Sequence, residues 1–373
     1  MDDLRFWLAL NLIKDIGPVT IKKLLSIFRS PENIFKAKMK DLLDIPDIGE
    51  IRAKNISEFS MWDRVDKEIN IIKERNIKIT KYIDKEYPES LGQIDDSPIL
   101  IYYYGEFLDN DKYSIAIVGS RNMTEYGLMV ADKLSYELAS LGITIISGMA
   151  RGIDSIAHKG ALKANGRSIA VLGSGIDKPY PYENRSLFYK LSRSGVVISE
   201  FPLGTPPIKE NFPKRNRLIS GLSLGVVVVE ATINSGSLIT AYYAIEQGKE
   251  VFAVPGNIFS KYSEGTNLLI KKGAKLVYKI DDILEELAPK LKKLIASKIN
   301  FNKEELISEK LDALEISNEE KAICNTLDHE AKHIDNISRE LNIPVSRLSS
   351  MLLNLEMKGI IMQLDGKRFC LKC

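Results

Sequence analysis

The sequence predicts an α/β protein built on a doubly wound, mostly parallel sheet, preceded by helices and followed by a small helical unit. Six short runs rich in aliphatic residues recur through the middle of the chain. They lie at Ser114–Val118, Thr144–Ser147, Ser168–Leu172, Val196–Ser199, Gly225–Val229 and Val251–Val254. Amphipathic stretches such as Tyr126 to Leu141 and Ile153 to Asn165 separate them. Continuous apolar strands alternating with helices belong to a parallel sheet covered on both faces. Composition then shifts on either side of this region. Residues 1–70 read as short helices broken by Ile-Gly turns, 71–290 as the sheet domain, 291–314 as a charged helical linker and 315–373 as the terminal unit.

With 45% hydrophobic and 27% charged residues among 373, the chain has the composition of an ordinary globular protein with a real core. A formal charge of +2 makes any basic footprint local rather than global. No apolar run approaches the roughly 18–20 residues of a membrane span, and Met1-Asp2-Asp3 is not the basic start of a signal peptide. Cys324, Cys370 and Cys373 are too few for a disulfide framework, which fits a reducing cytoplasm. Cys370 and Cys373 form a CxxC, and His329 and His333 are four apart, but the spacing matches no standard zinc finger. Free thiols and no metal are expected.

In the N-terminal region Asp15-Ile16-Gly17-Pro18-Val19-Thr20 and Ile45-Pro46-Asp47-Ile48-Gly49-Glu50 look alike. Each follows a helical pattern, turns at glycine and opens another helix. This resembles tandem helix-hairpin-helix (SAM-like) units, which hold DNA without sequence preference; glycine there would admit the phosphate backbone to helix amides. Few basic residues flank the first turn, so a protein-binding or purely structural domain is equally compatible. The piece from Ile77 to Tyr104 is strand-like and Tyr-rich and attaches to the sheet domain.

The sheet domain is Rossmann-like, and ligands of such sheets bind beyond the carboxyl ends of the strands. Four strand ends there carry small residues and hydroxyls: Gly119-Ser120-Arg121-Asn122, Ser147-Gly148, Gly173-Ser174-Gly175 and Asn234-Ser235-Gly236-Ser237. Exposed amides and helix N-termini make phosphate their natural guest. Asp154, after the second strand, is expected to cap a helix rather than catalyse. There is no GxxxxGK[ST], which excludes a P-loop ATPase, and no GxGxxG after the first strand; Gly173-Ser174-Gly175 lacks the third glycine.

Between the fourth and fifth strands, Lys214, Arg215 and Arg217 form a compact cation cluster beside Phe212, with Lys209 nearby and Asn216 within it. Pro206-Pro207 and Pro213 suggest a stiff loop leading into a helix from Leu218 to Leu222. Cations and an aromatic ring at a phosphate-accepting edge suit single strands: the cations track the backbone and the ring stacks a base. Glu200 and Glu230 are expected to pair with the arginines. His158 lies on a helix and is expected to be packed there rather than to act as a base.

Gly119-Ser120-Arg121, Ser147-Gly148-x-Ala150-x-Gly152-Ile153-Asp154, Phe212-Pro213-x-Arg215-Asn216-Arg217-x-Ile219-x-Gly221 and Glu230-Ala231 with Ser235-Gly236-Ser237 together resemble the DNA-processing protein A family. Val254-Pro255-Gly256-Asn257, Gly265-Thr266-Asn267 and Gly273-Ala274 extend the resemblance, which covers roughly Tyr82 to Val277. It implies a non-enzymatic bacterial protein without cofactor that binds and protects single-stranded DNA. The same resemblance implies a homodimer through the sheet domain that helps load RecA recombinase during natural transformation. Carried over, Arg121, Lys214, Arg215 and Arg217 would contact phosphates; Ser147, Gly148, Gly173, Ser174 and Ser237 would line the pocket; Phe212 would stack. The family variably carries a C-terminal winged helix. Here Asn336 to Leu348 reads as helix, turn, helix, and Gly366-Lys367-Arg368-Phe369 as the wing. Its second helix bears Arg347 but little other positive charge, leaving DNA and protein partners both open. The rival reading is a hydrolase of nucleoside monophosphates. A related group of that kind carries Pro-Gly-Gly-x-Gly-Thr followed by a glutamate, whereas here Glu230 precedes the loop.

Overall fold

All six expected strands form, each end within one residue of the sequence reading. The structure, a computed structural model, describes residues 2–291, 294, 317–327, 332–358, 360–364 and 366–371. They fall into two compact units, Met1–Ile295 and Ala296–Cys373. The linker expected at 291–314 lies, Leu291 and Leu294 apart, outside the described residues, as do His329 and Cys373.

The first unit is organised by a nine-stranded sheet. Its strands are β1 (Lys78–Lys81), β2 (Leu100–Gly105), β3 (Ser114–Val118), β4 (Thr144–Ser147) and β5 (Ser168–Val171). They continue with β6 (Val196–Ser199), β7 (Gly225–Val228), β8 (Glu250–Ala253) and β9 (Lys275–Leu276). The spatial order is β1-β2-β6-β5-β4-β3-β7-β8-β9. From β6 to β9 every pairing is parallel, while the Tyr-rich pair β1 and β2 adds antiparallel strands at the β6 edge. The chain builds outward from β3 through β6, then crosses back to place β7 on the other side of β3. The order therefore reverses between β3 and β7, the position where doubly wound sheets open a crevice.

Residues on each strand alternate between two cores, as the period of a strand requires. Ile115, Ile117 and Val227 pack against the helices Glu125–Ser140 and Ile153–Lys163. Ala116, Val118, Val226 and Val228 face the helices Asn211–Leu222 and Gly236–Glu246. With both faces covered, β3 to β7 are buried end to end, which explains why they read as unbroken apolar runs.

The N-terminal helices share a core with one end of the sheet, where Trp7, Leu8 and Leu24 meet Leu100, Tyr102 and Val197. Their two Asp-Ile-Gly turns are structural equivalents. Asp15 (φ 61°) and Asp47 (φ 72°) both take the left-handed conformation that aspartate tolerates. Gly17 and Gly49 then stand at the starts of the helices Pro18–Phe28 and Glu50–Ser57. The two halves also grip each other reciprocally. Lys23 donates to the Pro46 carbonyl at 2.8 Å, and Asn55, its counterpart when Gly49 is laid on Gly17, donates to the Lys14 carbonyl at 3.0 Å.

The second unit pairs two antiparallel strands, Ile361–Leu364 and Arg368–Leu371, with the short Lys332–His333. They lie on the helices Ile334–Leu341 and Val345–Met357, whose Ile337, Leu348 and Leu352 close a separate core with Phe369. This is the expected winged helix. Arg347 is held by Glu319 at 2.6 Å. Cys324 and Cys370 are buried free thiols, and burial pushes Cys324 up to about 11.

One buried carboxylate ties the N-terminal helices to the sheet. Glu68, on the helix Trp62–Glu74, accepts from the Tyr102 hydroxyl at 2.6 Å and from the Leu203 amide at 3.0 Å. Burial, only partly offset by these donors, raises its pKa above the ordinary carboxyl value. The folded state therefore favours the protonated acid, and that contribution to stability fades as pH rises through the raised value. Glu68→Ala should cost about 1–3 kcal/mol by stranding a buried hydroxyl and amide. Glu68→Gln keeps the acceptor without the charge, so its melting temperature should exceed that of the wild type near neutral pH. The gap should shrink on acidification; a gap constant with pH would show that the carboxylate is not the source.

Candidate nucleic-acid interface

A cleft of about 750 Å³ opens at the strand-order reversal, beyond the carboxyl ends of β3 and β7. Gly119, Ser120, Arg121 and Asn122 form one wall, and Asn234, Ser235, Gly236 and Ser237 another. Phe212, Arg215 and Asn216 close the side between them. Two helix N-termini meet at this cleft, those of Asn211–Leu222 and Gly236–Glu246. Their positive dipole ends suit an anion.

The stretch read as a stiff loop is in fact helical from Asn211 onward. Pro213 fits because it sits in the first turn, where its missing amide would have no intrahelical partner. The consequence is that the cation cluster is dealt out around a helix rather than presented together. Lys214 points to solvent, while Arg215 and Arg217 are buried in different directions.

Arg215 is 3% exposed and joins three elements. Its Nη1 donates to the Gly148 carbonyl at 2.7 Å and to that of Val171, and Nε donates to Asn216 at 3.1 Å. Burial pulls its pKa down to about 10, opposed by the nearby Asp154 carboxylate and reinforced by Arg121. A Cβ on Gly148 would lie 2.5 Å from this guanidinium, and one on Gly173 would lie 2.7 Å from the Phe212 ring. Those two glycines make room for Arg215 and Phe212 and do not line the cleft. Phe212 in turn carries the Arg121 guanidinium at 4.9 Å from its ring centre and that of Arg215 at 5.9 Å. Arg121 is exposed, so the ring and the cation together form a platform at the cleft wall.

Arg217 faces away from the cleft. It pairs with Glu200 and, at 3.0 Å, with Asp96. The hydroxyls divide similarly. Ser147 donates to the Ile117 carbonyl and Ser174 to that of Lys178, both at 2.7 Å, and neither lines the cleft. Ser120 and Ser237 do line it. Gly152 seals the base of the Arg121 wall: its φ of 76°, and the Ser120 carbonyl where a Cβ would stand, leave no room for a side chain.

The carboxylates correct two expectations. Glu200 pairs with Arg217 as anticipated, but Glu230 accepts from the Thr124 amide at 2.9 Å and its hydroxyl at 2.5 Å. It is held by the start of the helix Glu125–Ser140, whose free amides offer closer donors than any arginine. Asp154 does not cap its helix, since Gly152 holds that position. It lies in the first turn and accepts from the amides of Gly148 (3.2 Å) and Ala150 (3.4 Å), bracing the loop that receives Arg215. His158 is fully buried against Ser168, at 2.7 Å, and burial drives it down to about 3. It stays neutral at physiological pH.

Lys261 and Tyr262 line the cleft but drew no notice in the sequence, although Gly265-Thr266-Asn267 follows them closely. The signal was available, for they lie on the connection after β8, whose carboxyl end faces the same edge. Among the described residues no cluster of three or more potential metal ligands occurs, and no helix is long and apolar enough to cross a membrane.

Comparison with known proteins gives this arrangement a lineage. Residues 78–288 match the family model of DNA recombination-mediator protein A, 309–367 the DprA winged helix domain, and 8–59 a SAM-like helix-hairpin-helix tandem. Protein Smf of Synechocystis is 32% identical over 98% of each chain. DNA processing protein DprA of Bacillus subtilis is 44% identical over 58% of this chain and 73% of its own. The crystal structure of DprA from Streptococcus pneumoniae superimposes with a TM-score of 0.63 at 34% identity, covering 75% of this chain and 96% of that one. DNA processing protein A from Helicobacter pylori, whose structure concerns a single-stranded DNA binding mode, gives 0.52 at 30% identity over 57% and 97%. With a family model spanning the sheet domain and a relative aligned almost end to end, this chain belongs to the DNA recombination-mediator protein A family, whose members carry the names DprA and Smf.

Proposed function

We propose that the cleft binds single-stranded DNA and performs no reaction on it. The carrying observation is the platform of exposed Arg121 on Phe212 beside two helix N-termini, with Lys209 and Lys261 at the same cleft. Amides and cations suit phosphates, and the aromatic wall suits a base, so recognition needs no particular sequence. The hydrolase reading loses its best residue, because Glu230 is committed to Thr124 and does not line the cleft. The Helicobacter pylori relative supports the same ligand.

In this proposal Arg121, Lys209 and Lys261 hold phosphates, Phe212 stacks, and Ser120, Asn216, Gly236 and Ser237 offer polar contacts. Arg215 closes one side, Arg217, Ser147, Gly148, Gly173 and Ser174 support the walls from behind, and Lys214 flanks the entrance. Family membership extends the proposal to a cytoplasmic homodimer that protects incoming strands and assists RecA loading in natural transformation. Exposed apolar side chains beside β8 and β9 support self-association through the sheet domain. Ile258 is 79%, Phe259 92% and Tyr278 84% exposed.

Titration of labelled oligonucleotides across a salt series separates the two kinds of arginine. Arg121→Ala/Lys209→Ala should weaken single-strand binding and flatten the log-log salt slope by about 1.4, at ~0.7 per phosphate, with an unchanged melting temperature. Arg217→Ala should instead cost about 3 kcal/mol of stability by stranding the buried Glu200. Equal binding by the double variant and wild type would remove the cleft as the DNA site. Light scattering should report a dimer that Phe259→Glu dissociates. The wild type should also speed RecA-dependent ATP hydrolysis on single strands and shield them from nuclease; failure in both assays would refute the wider role.

A further inference from the structure

A second groove, of about 890 Å³, runs between the helices Ile153–Lys163 and Arg185–Ser194. Both helices begin at the carboxyl edge of the sheet, just after β4 and β5, and descend toward the opposite edge. Their starts are joined at the cleft, since Asn184, which lines the groove, donates to the carbonyls of Met149 (2.8 Å) and of the cleft residue Ala150 (3.4 Å). The groove therefore begins where the cleft ends and follows about 15 Å of helix, at 1.5 Å per residue.

Its charge is one-sided. Lys159, Lys190 and Arg193 line it, all exposed and with no carboxylate partner among the described residues. Lys163 and Arg167 line it too but are neutralised by Asp132 at 3.1 Å and Asp111 at 2.8 Å. The sole acid of the lining, Glu183, is taken by Arg151. A merely solvated helix face would place acids at i,i+4 from its lysines. The helix Arg185–Ser194 has no acid at all, and the other has only buried Asp154. Cations in a last turn, such as Arg193, also complement the helix dipole, but Lys159 and Lys190 sit too far back for that explanation. Rings and a cation lead from the cleft along the start of the helix Arg185–Ser194: Tyr180, 5.8 Å from the Phe212 ring, then exposed Tyr182, and Arg185 lying 5.8 Å over exposed Tyr189.

We propose that this groove carries the same DNA strand onward from the cleft, with Lys159, Lys190 and Arg193 on its phosphates and the Tyr182–Tyr189 segment as the bridge. The inference rests on the cleft reading and lengthens its footprint. It makes affinity depend on strand length, through three contacts remote from Arg121 and Phe212.

The test compares oligothymidylates of about 4 and about 16 nucleotides, the span of known single-strand site sizes. Wild type should bind the longer strand more tightly. Lys159→Gln/Lys190→Gln/Arg193→Gln should bind the short strand as wild type does. On the long one it should lose on the order of tenfold in affinity and about 2 in salt slope, at ~0.7 per phosphate contact. The charge-conserving Lys159→Arg/Lys190→Arg/Arg193→Lys should retain the long-strand gain, which separates charge from folding. Wild-type behaviour of the glutamine variant on the long strand overturns the extension. So does a wild type indifferent to length, with the cleft reading left intact. Failure of wild type on both lengths sinks cleft and extension together.

Discussion

The buried guanidinium of Arg215 is the contact on which the binding edge depends. A parallel sheet leaves the carbonyls at its strand ends without partners, and loops alone cannot satisfy them all. Arg215 reaches from the helix Asn211–Leu222 to the carbonyls of Gly148 and Val171, at the ends of β4 and β5. It thereby fixes the distance between that helix and the sheet, and with it one side of the cleft. Asp154 supplies the countercharge from the loop that Gly148 opens. A buried charge with five fixed donors is costly unless nearly all are met. The geometry around it is correspondingly unforgiving, with glycine at 148 and an aromatic ring at 212.

From that constraint the rest of the site follows. Because Arg215 fixes its helix, Phe212 one turn earlier is fixed too, and its ring becomes a rigid bed for Arg121. An exposed arginine ordinarily loses side-chain freedom on meeting a phosphate. Resting on a ring, Arg121 has already given up part of that freedom, so binding costs less. Arg217, two residues along the same helix, points the other way and fastens to Glu200 and Asp96, near the N-terminal helices. One short helix thus holds the sheet with one arginine, its outer surroundings with the next, and presents its N-terminus to the ligand.

Much of this was legible in the sequence. Parallel strands buried on both faces announce themselves as unbroken aliphatic runs, and all six were placed within a residue. The position of the cleft followed from the rule for strand ends, which brought Gly119, Ser120, Arg121, Gly236 and Ser237 to one lining. Side-chain direction was not legible. Lys214, Arg215 and Arg217 are near neighbours in the chain, but a helix turns each residue about a hundred degrees from the last. The prolines around them hid that helix, since proline is a breaker everywhere except in the first turn, where Pro213 sits. Glycine was ambiguous for a related reason. At 148 and 173 it admits a side chain from elsewhere in the chain, which no local pattern reveals.

Near-neutrality overall and basicity at the site are two sides of one design. A strongly cationic chain would hold any polyanion loosely over its whole surface. Here acids cancel the charge of structural cations one by one: Asp111 for Arg167, Asp132 for Lys163, Glu200 and Asp96 for Arg217. No such carboxylate meets Arg121, Lys209 and Lys261 around the cleft, or Lys159, Lys190 and Arg193 beyond it, among the described residues. In the proposed reading these six cations form a track for a phosphate chain, and the track's direction is set by the helices that carry it. Both helices of the second groove start at the cleft because every crossover in a parallel sheet must return from the carboxyl edge to the amino edge. The same topology that opens the cleft therefore supplies a path leading away from it.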